Sequence, residues 1–128
     1  VCKADIYGKA LFDLDAKNNV PYLGYQQNIY LGRAVNKLLN HSSRKHMKAS
    51  MESSMADSLK MMALKGLGVA WIPEFSVEQE LAKHSLALAG DKKWMAELEV
   101  RVYATRQTRL QHDMIWSILE KYKLATRW

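Results

Sequence analysis

One cysteine, two prolines and two phenylalanines in 128 residues rule out several kinds of protein. A lone Cys2 cannot close an internal disulfide. It reads as an inert strand thiol, and the chain is expected in a reducing, cytoplasmic compartment. No apolar run approaches the ~20 residues that span a bilayer, so no membrane partner is expected. His41, His46, His84 and His112 show no Cys/His spacing of the zinc type, and neither a metal nor a cofactor is expected. A nucleophile elbow of the Gly-x-Ser-x-Gly kind is missing, as are phosphate-loop and dinucleotide fingerprints, because Gly66-x-Gly68 comes before a strand rather than after one. No pair of carboxylates stands out for acid–base work, so no catalytic residue is assigned. Carboxylates are also the scarcer charge, 13 against 19 basic residues, for a net +6. The cations Lys3, Lys9, Arg33, Lys60, Lys83, Lys92, Arg106 and Lys123 are scattered, and only residues 44–48 cluster. That cluster reads as a solvated loop rather than a phosphate contact. Val1 is neither an initiator methionine nor part of a signal peptide, so the chain is expected to be a fragment.

What the chain does have is concentrated between residues 53 and 73. Ser53 and Ser54 suit a helix N-cap, and Asp57 puts negative charge in the first turn, where the helix dipole favours it. Met55, Leu59, Met62 and Ala63 follow at helical spacing, and Gly66 supplies a left-handed stop. Val69-Ala70-Trp71-Ile72 is a short apolar run without alternation, ended by Pro73. This is the pattern of a strand covered on both faces, as in parallel sheets between helices.

The flanking sequence repeats this alternation of strand and helix. Residues 1–4 read as the end of a strand and 20–25 as a second strand. A helix over 29–39 is expected with Asn28 as its cap, followed by a loop over 40–45. Residues 46–52 alternate, with Met47, Ala49 and Met51 on one side, as in a strand with one face covered. Ser76 is expected to cap a helix reaching His84, Leu86 and Leu88 to form an edge strand, and 91–94 to turn. Leu98, Val100, Val102 and Ala104 predict another strand over 97–105. A final helix over 110–122 carries Leu110, Met114, Ile115, Ile118, Leu119 and Tyr122 as its apolar stripe. Strands alternating with helices predict an α/β fold of βαβ units with a mostly parallel sheet flanked by helices.

Ligands of such sheets commonly sit where strands end and helices begin, because helix starts present free N–H groups and a positive dipole end. Two places qualify: Tyr25-Gln26-Gln27-Asn28-Ile29-Tyr30, and Ser53-Ser54. Capping alone would also explain Asn28, Ser53 and Ser54. Five of the seven methionines, Met47, Met51, Met55, Met61 and Met62, fall in one short span. They are either adaptable core filler or oxidant sensors, since sulfoxide formation turns an apolar side chain polar and can be reversed.

Pro21 to Arg33 (P-Y-L-G-Y-x-x-N-x-Y-L-G-R), Ser53-Ser54-Met55 and G-L-G-V-A-W-I-P ending at Pro73 together resemble the effector-binding domain of LysR-type transcriptional regulators, in particular their hypochlorite-responsive branch. The resemblance covers nearly the whole chain. It implies a periplasmic-binding-protein-like (type 2) lobe: residues 1–105 as the second lobe with its crossing strand, and 106–128 as a C-terminal helix returning to the first lobe. Most of the first lobe and a winged helix-turn-helix would lie before Val1. It further implies a non-enzymatic sensor of a small-molecule effector or oxidant, which acts on DNA through that N-terminal domain and works as a homodimer or homotetramer. The implied effector-binding residues are Tyr25, Gln26, Gln27, Asn28, Tyr30, Ser53 and Ser54. Met55 falls on a redox-sensing position of the branch, whereas Leu31 occupies a second position that would carry methionine. A solute-binding protein of the same fold and a small α/β enzyme are the alternative readings.

Overall fold

At the centre of the sheet is β2, Val20–Tyr25, running parallel to β3, Met47–Ser53, on one side and to β4, Val69–Ala70, on the other. The computed structural model describes residues 1–125, apart from the side chains of 41, 42 and 122–125. The side chain of Tyr122, expected on the apolar stripe of the final helix, and that of His41 therefore lie outside the described residues. β2 takes the middle because Val20, Leu23 and Tyr25 all bury. Pro21 is tolerated in this central strand because pairing with β4 begins only at Tyr22, so the missing N–H falls ahead of that ladder. A second, two-stranded antiparallel sheet joins β1, Cys2–Lys3, to β5, Leu86–Ala87. Val1 exchanges backbone hydrogen bonds with Ala70 at 2.7 and 2.9 Å, which links the start of β1 to β4.

Helix α1, Tyr30–Leu38, follows β2, and α3, Ala56–Leu64, follows β3; a short α2, His41–Arg44, lies between α1 and β3. One-turn spacing explains their buried faces: Val35 and Leu39 from the first, Leu59 and Ala63 from the second, all in one core with Leu23, Tyr25, Ala70, Val77 and Leu86. Cys2, Val20, Val69 and Ala89 form a smaller core. The left-handed stop after α3 is observed: Gly66 has φ 78° and donates to the Ala63 carbonyl at 2.9 Å. The turn at 91–94 is also observed, as a 3-10 turn over Lys92–Trp94 capped by Asp91. It is tied down by Trp94 Nε1 donating to Asp15 Oδ1 at 2.9 Å, by Trp71 Nε1 donating to the Trp94 carbonyl at 2.7 Å, and by the Lys93–Asp15 ion pair. Lys93, then Trp94, holds the Asp15 carboxyl below its ordinary range.

Several expectations need correction. The 40–45 loop contains α2, whose N–H at Ser43 is capped by Asn40 Oδ1 at 2.8 Å. β3 is exposed along most of its length, not covered on one face. It is an edge strand, and its pairing slips between Tyr22 and Leu23, so that Ser50 bulges and the alternation of Met47, Ala49 and Met51 loses its phase. Ser76 does not cap a helix. It ends a 3-10 turn, Glu74–Ser76, and α4 covers only Glu78–Ala82, because Val77 turns inward to full burial between them.

Residues 98 onward form a separate unit. Its opening segment, predicted as a strand, has no ladder, and Val100 and Val102 are exposed. Alternation alone cannot make a strand where no described edge pairs with it. The single predicted helix is two: α5, Arg106–Gln111, capped by Thr105 Oγ1, and α6, Asp113–Ala125, separated where His112 leaves helical geometry. Arg109 clasps the pair by bonding Glu120 at 3.3 Å and lying over the Trp116 ring.

Candidate functional site

β2 and β3 finish side by side. Tyr25 is in register with Ser53, and the next amide, Gln26 N–H, donates to the Ser53 carbonyl at 3.2 Å. From this shared edge the chain turns into α1 on one side and α3 on the other. The two helix starts are therefore neighbours, as the parallel pairing of their strands requires.

Neither start is capped as expected. Ile29, with extended φ and ψ, occupies the N-cap of α1, and Met55 occupies that of α3; no side chain caps either helix. Asn28 instead uses its carbonyl, which accepts from Arg33 Nη1 at 3.1 Å. Ser53 Oγ accepts from the Met55 N–H at 3.1 Å, a local turn one step ahead of the helix. Gln26, Gln27, Asn28, Tyr30 and Ser54 are exposed at this edge and Ser53 is half-buried. Their polar groups, with the first-turn N–H groups behind them, form a donor-rich shelf suited to a small polar or anionic group.

Tyr25 lies beneath that shelf. Its side chain packs in the core, and its hydroxyl is buried without a hydrogen-bond partner among the described residues. Burial pushes the phenol up to about 12, and the nearby Tyr22 and Asp57 act in the same direction.

Two residues that sequence reasoning passed over shape the edge. Gly32 lets α1 lean onto the end of β2, since a Cβ there would come 2.8 Å from the Gln26 carbonyl oxygen and 3.1 Å from Tyr25 Cβ. The signal was a glycine inside an otherwise helical run, which implies a close backbone approach. Tyr22 lays its ring along the strand over Gly24, where a Cβ would meet the ring at 3.1 Å, and packs edge-on against Trp71. Burial raises its phenol as well.

The methionines divide by exposure. Met55 is 61% exposed, Met61 53% and Met51 44%, while Met47 and Met62 are half-buried. Among the described residues no group of three or more His, Cys, Asp or Glu could hold a metal ion, and no helix is long and apolar enough to cross a membrane.

Residues 1–116 match the LysR substrate binding domain family. The chain belongs to that family. Two relatives in Escherichia coli are each 35% identical over 128 residues, 98% of this chain: the HTH domain-truncated transcriptional regulator QseD of strain O157:H7 and the HTH-type transcriptional regulator YjiE of strain K12. The chain spans about half the length of these curated relatives, 52% of the first and 41% of the second. Among solved structures it resembles Vibrio fischeri DarR, a LysR-family member in complex with DNA (TM-score 0.72, 27% identity, 92% of this chain and 40% of that one). It also resembles full-length HypT from Salmonella typhimurium, described as a hypochlorite-specific LysR-type regulator (TM-score 0.70, 25% identity, 98% and 43%). The fold is thus the α/β, periplasmic-binding-protein-like type 2 arrangement with a parallel sheet, and the chain is a regulatory substrate-binding domain. Its LysR family consists of transcription regulators, which are generally not enzymes.

Proposed function

We propose that this LysR domain is the effector- or oxidant-sensing lobe of a cytoplasmic, non-enzymatic transcription factor. Its effector shelf is Gln26, Gln27, Asn28, Tyr30, Ser53 and Ser54, with Tyr25 buried beneath as the floor. One observation carries this reading: the starts of α1 and α3 are uncapped and adjacent on one sheet edge. A ligand there would meet two positive dipole ends at once. Residues 1–105 act as the second lobe, and 106–128 return to a first lobe. Binding changes the geometry of a homodimer or homotetramer whose N-terminal domain holds DNA. The test is a transcriptional reporter driven by the full regulator, with Asn28→Ala and Ser54→Ala singly and together. Loss of the inducible response at normal protein level supports the assignment, and a full response from the double variant removes it.

Oxidant sensing is a second reading, favoured by the exposure of Met55 at the very start of α3 and by the likeness to HypT. Met55→Gln, which resembles the sulfoxide, is expected to shift reporter output without oxidant, and Met55→Ile to block the response to hypochlorite. If neither changes output, Met55 is a surface residue and nothing more.

A further inference from the structure

The cations are spread along the chain, but the carboxylates are not. From Ala16 to Met51 there is no Asp or Glu, whereas Lys17, Arg33, Lys37, Arg44, Lys45 and Lys48 all fall in that stretch. The remaining residues carry 13 cations and 13 carboxylates, so the whole net charge of +6 resides in this one block. The fold keeps the block together. Arg33 and Lys37 share one face of α1 with Asn36, and Arg44 of α2 reaches back to that face, its Nη2 donating to Asn36 Oδ1 at 2.6 Å. Lys45 and Lys48 flank the start of β3. The start of β2 lies beside them through Val20 N–H donating to the His46 carbonyl at 2.7 Å, and Lys17 comes three residues before it. All six are exposed, and none makes an ion pair among the described residues.

We propose that this face binds the phosphate backbone of duplex DNA without regard to sequence, as a contact additional to any made by a dedicated DNA-binding domain. An unbroken run of unpaired cations suits a linear polyanion, whose counterions it displaces. The polar neighbours Asn36, Asn40 and Ser43 are of the kind that bond phosphate oxygens. An acidic protein would need a desolvated apolar centre to hold it. Among the described residues no large apolar side chain between Tyr30 and Met51 is strongly exposed. Arg33 and Lys37 do line an open groove of about 340 Å³ with Tyr30, Leu38 and Met95, and Glu97 is the one carboxylate among the lining residues. The basic face runs from Arg33, whose Nη1 bonds the Asn28 carbonyl beside the effector shelf, to Lys45 and Lys48 at the start of the strands, about 20 Å away along β2.

The experiment is fluorescence anisotropy of the 128-residue chain with a labelled duplex of scrambled sequence, titrated at several salt concentrations. Its partner variants replace Arg33, Lys37, Arg44, Lys45 and Lys48 by Gln, or, as a charge-matched control, Lys3, Lys9, Lys65, Lys83 and Lys92 by Gln. The block variant is expected to bind at least about tenfold more weakly at low salt and to lose most of a salt slope of roughly −4, about one unit per phosphate contact. The control variant keeps both, and circular dichroism verifies that each variant is folded. Equal loss in the two variants overturns the proposal in favour of net charge alone. Absence of binding by the unmodified chain at low salt also overturns it. So does tighter binding of poly-glutamate than of DNA, which would point to an acidic polypeptide instead.

Discussion

Tyr25 and Ser53 stand opposite each other at the ends of two parallel strands, and the carbonyl of Ser53 accepts the N–H of the residue that follows Tyr25. That pair fixes where α1 and α3 begin. Because these two parallel strands end in register, the helices leaving them start near the same edge, and two dipole ends share it. The sensing role proposed for this domain depends on that relationship, and the stability of the edge depends on what is packed under it.

Gly32→Ala tests how tightly α1 is held to the edge. Inside a helix the exchange should gain about 1 kcal/mol of intrinsic propensity. Here the new Cβ would meet the Gln26 carbonyl at 2.8 Å, a backbone atom that cannot step aside. Overpacking of about 1–3 kcal/mol outweighs the gain. Thermal unfolding followed by circular dichroism is expected to show a lower midpoint, and an unchanged or higher one would contradict the close approach.

Leu59→Ala tests the floor of the fold. Leu59 is completely buried between α3 and the sheet, and truncation there typically removes about 2–5 kcal/mol. Urea unfolding is the measurement, and a loss below about 1 kcal/mol would mean that the site collapses far more easily than its packing suggests.

Tyr25 gives the domain an alkaline sensitivity. Its phenol is pushed up to about 12 by burial, against about 10 in an unfolded chain. A raised value means the folded state holds the proton more tightly. The contribution is therefore fully present below about pH 10 and is lost as pH rises toward about 12. Urea unfolding is expected to show stability falling through that window, and Tyr25→Phe should flatten the fall. Near neutral pH the same variant should be neutral or more stable by about 1 kcal/mol, because it removes a buried hydroxyl with no partner among the described residues. A clear destabilisation at neutral pH would show that the hydroxyl does useful bonding.

Oxidation should follow exposure. With limiting hypochlorite, mass spectrometry is expected to find sulfoxide first at Met114 and Met55, then at Met61, Met95 and Met51, and last at Met47 and Met62. Early modification of Met62 would mean that α3 opens readily from the sheet.

The central part of this architecture was legible in the residues. Val20–Tyr25 announces a strand, Val69-Ala70-Trp71-Ile72 a covered one of which only Val69–Ala70 forms, and Leu59, Ala63 and Gly66 a helix with its stop. Features that depend on non-local partners were not legible. The alternation in β3 promised one covered face, but a bulge at Ser50 and an edge position undid it. The alternation of Leu98, Val100, Val102 and Ala104 is as regular, yet a ladder needs a neighbour and none of the described strands pairs with it. At the candidate site the two stretches that the sequence singles out do come together, at the ends of β2 and β3. It put Asn28 and Ser53–Ser54 into capping roles that fall to Ile29 and Met55, because one or two residues of turn separate a favourable side chain from the helix it was expected to cap. Gly32 and Tyr22 went unremarked because their importance comes from what lies across from them.

Amide NMR spectra of the 128-residue chain, screened against a panel of small carboxylates, sulfonates and halides, test the sensing edge most directly. Ligands are expected to shift the amides of residues 27–30 and 54–57 together, two segments far apart in sequence that only the shared edge brings side by side. Shifts confined to one segment, or centred on another part of the sheet, would contradict the account.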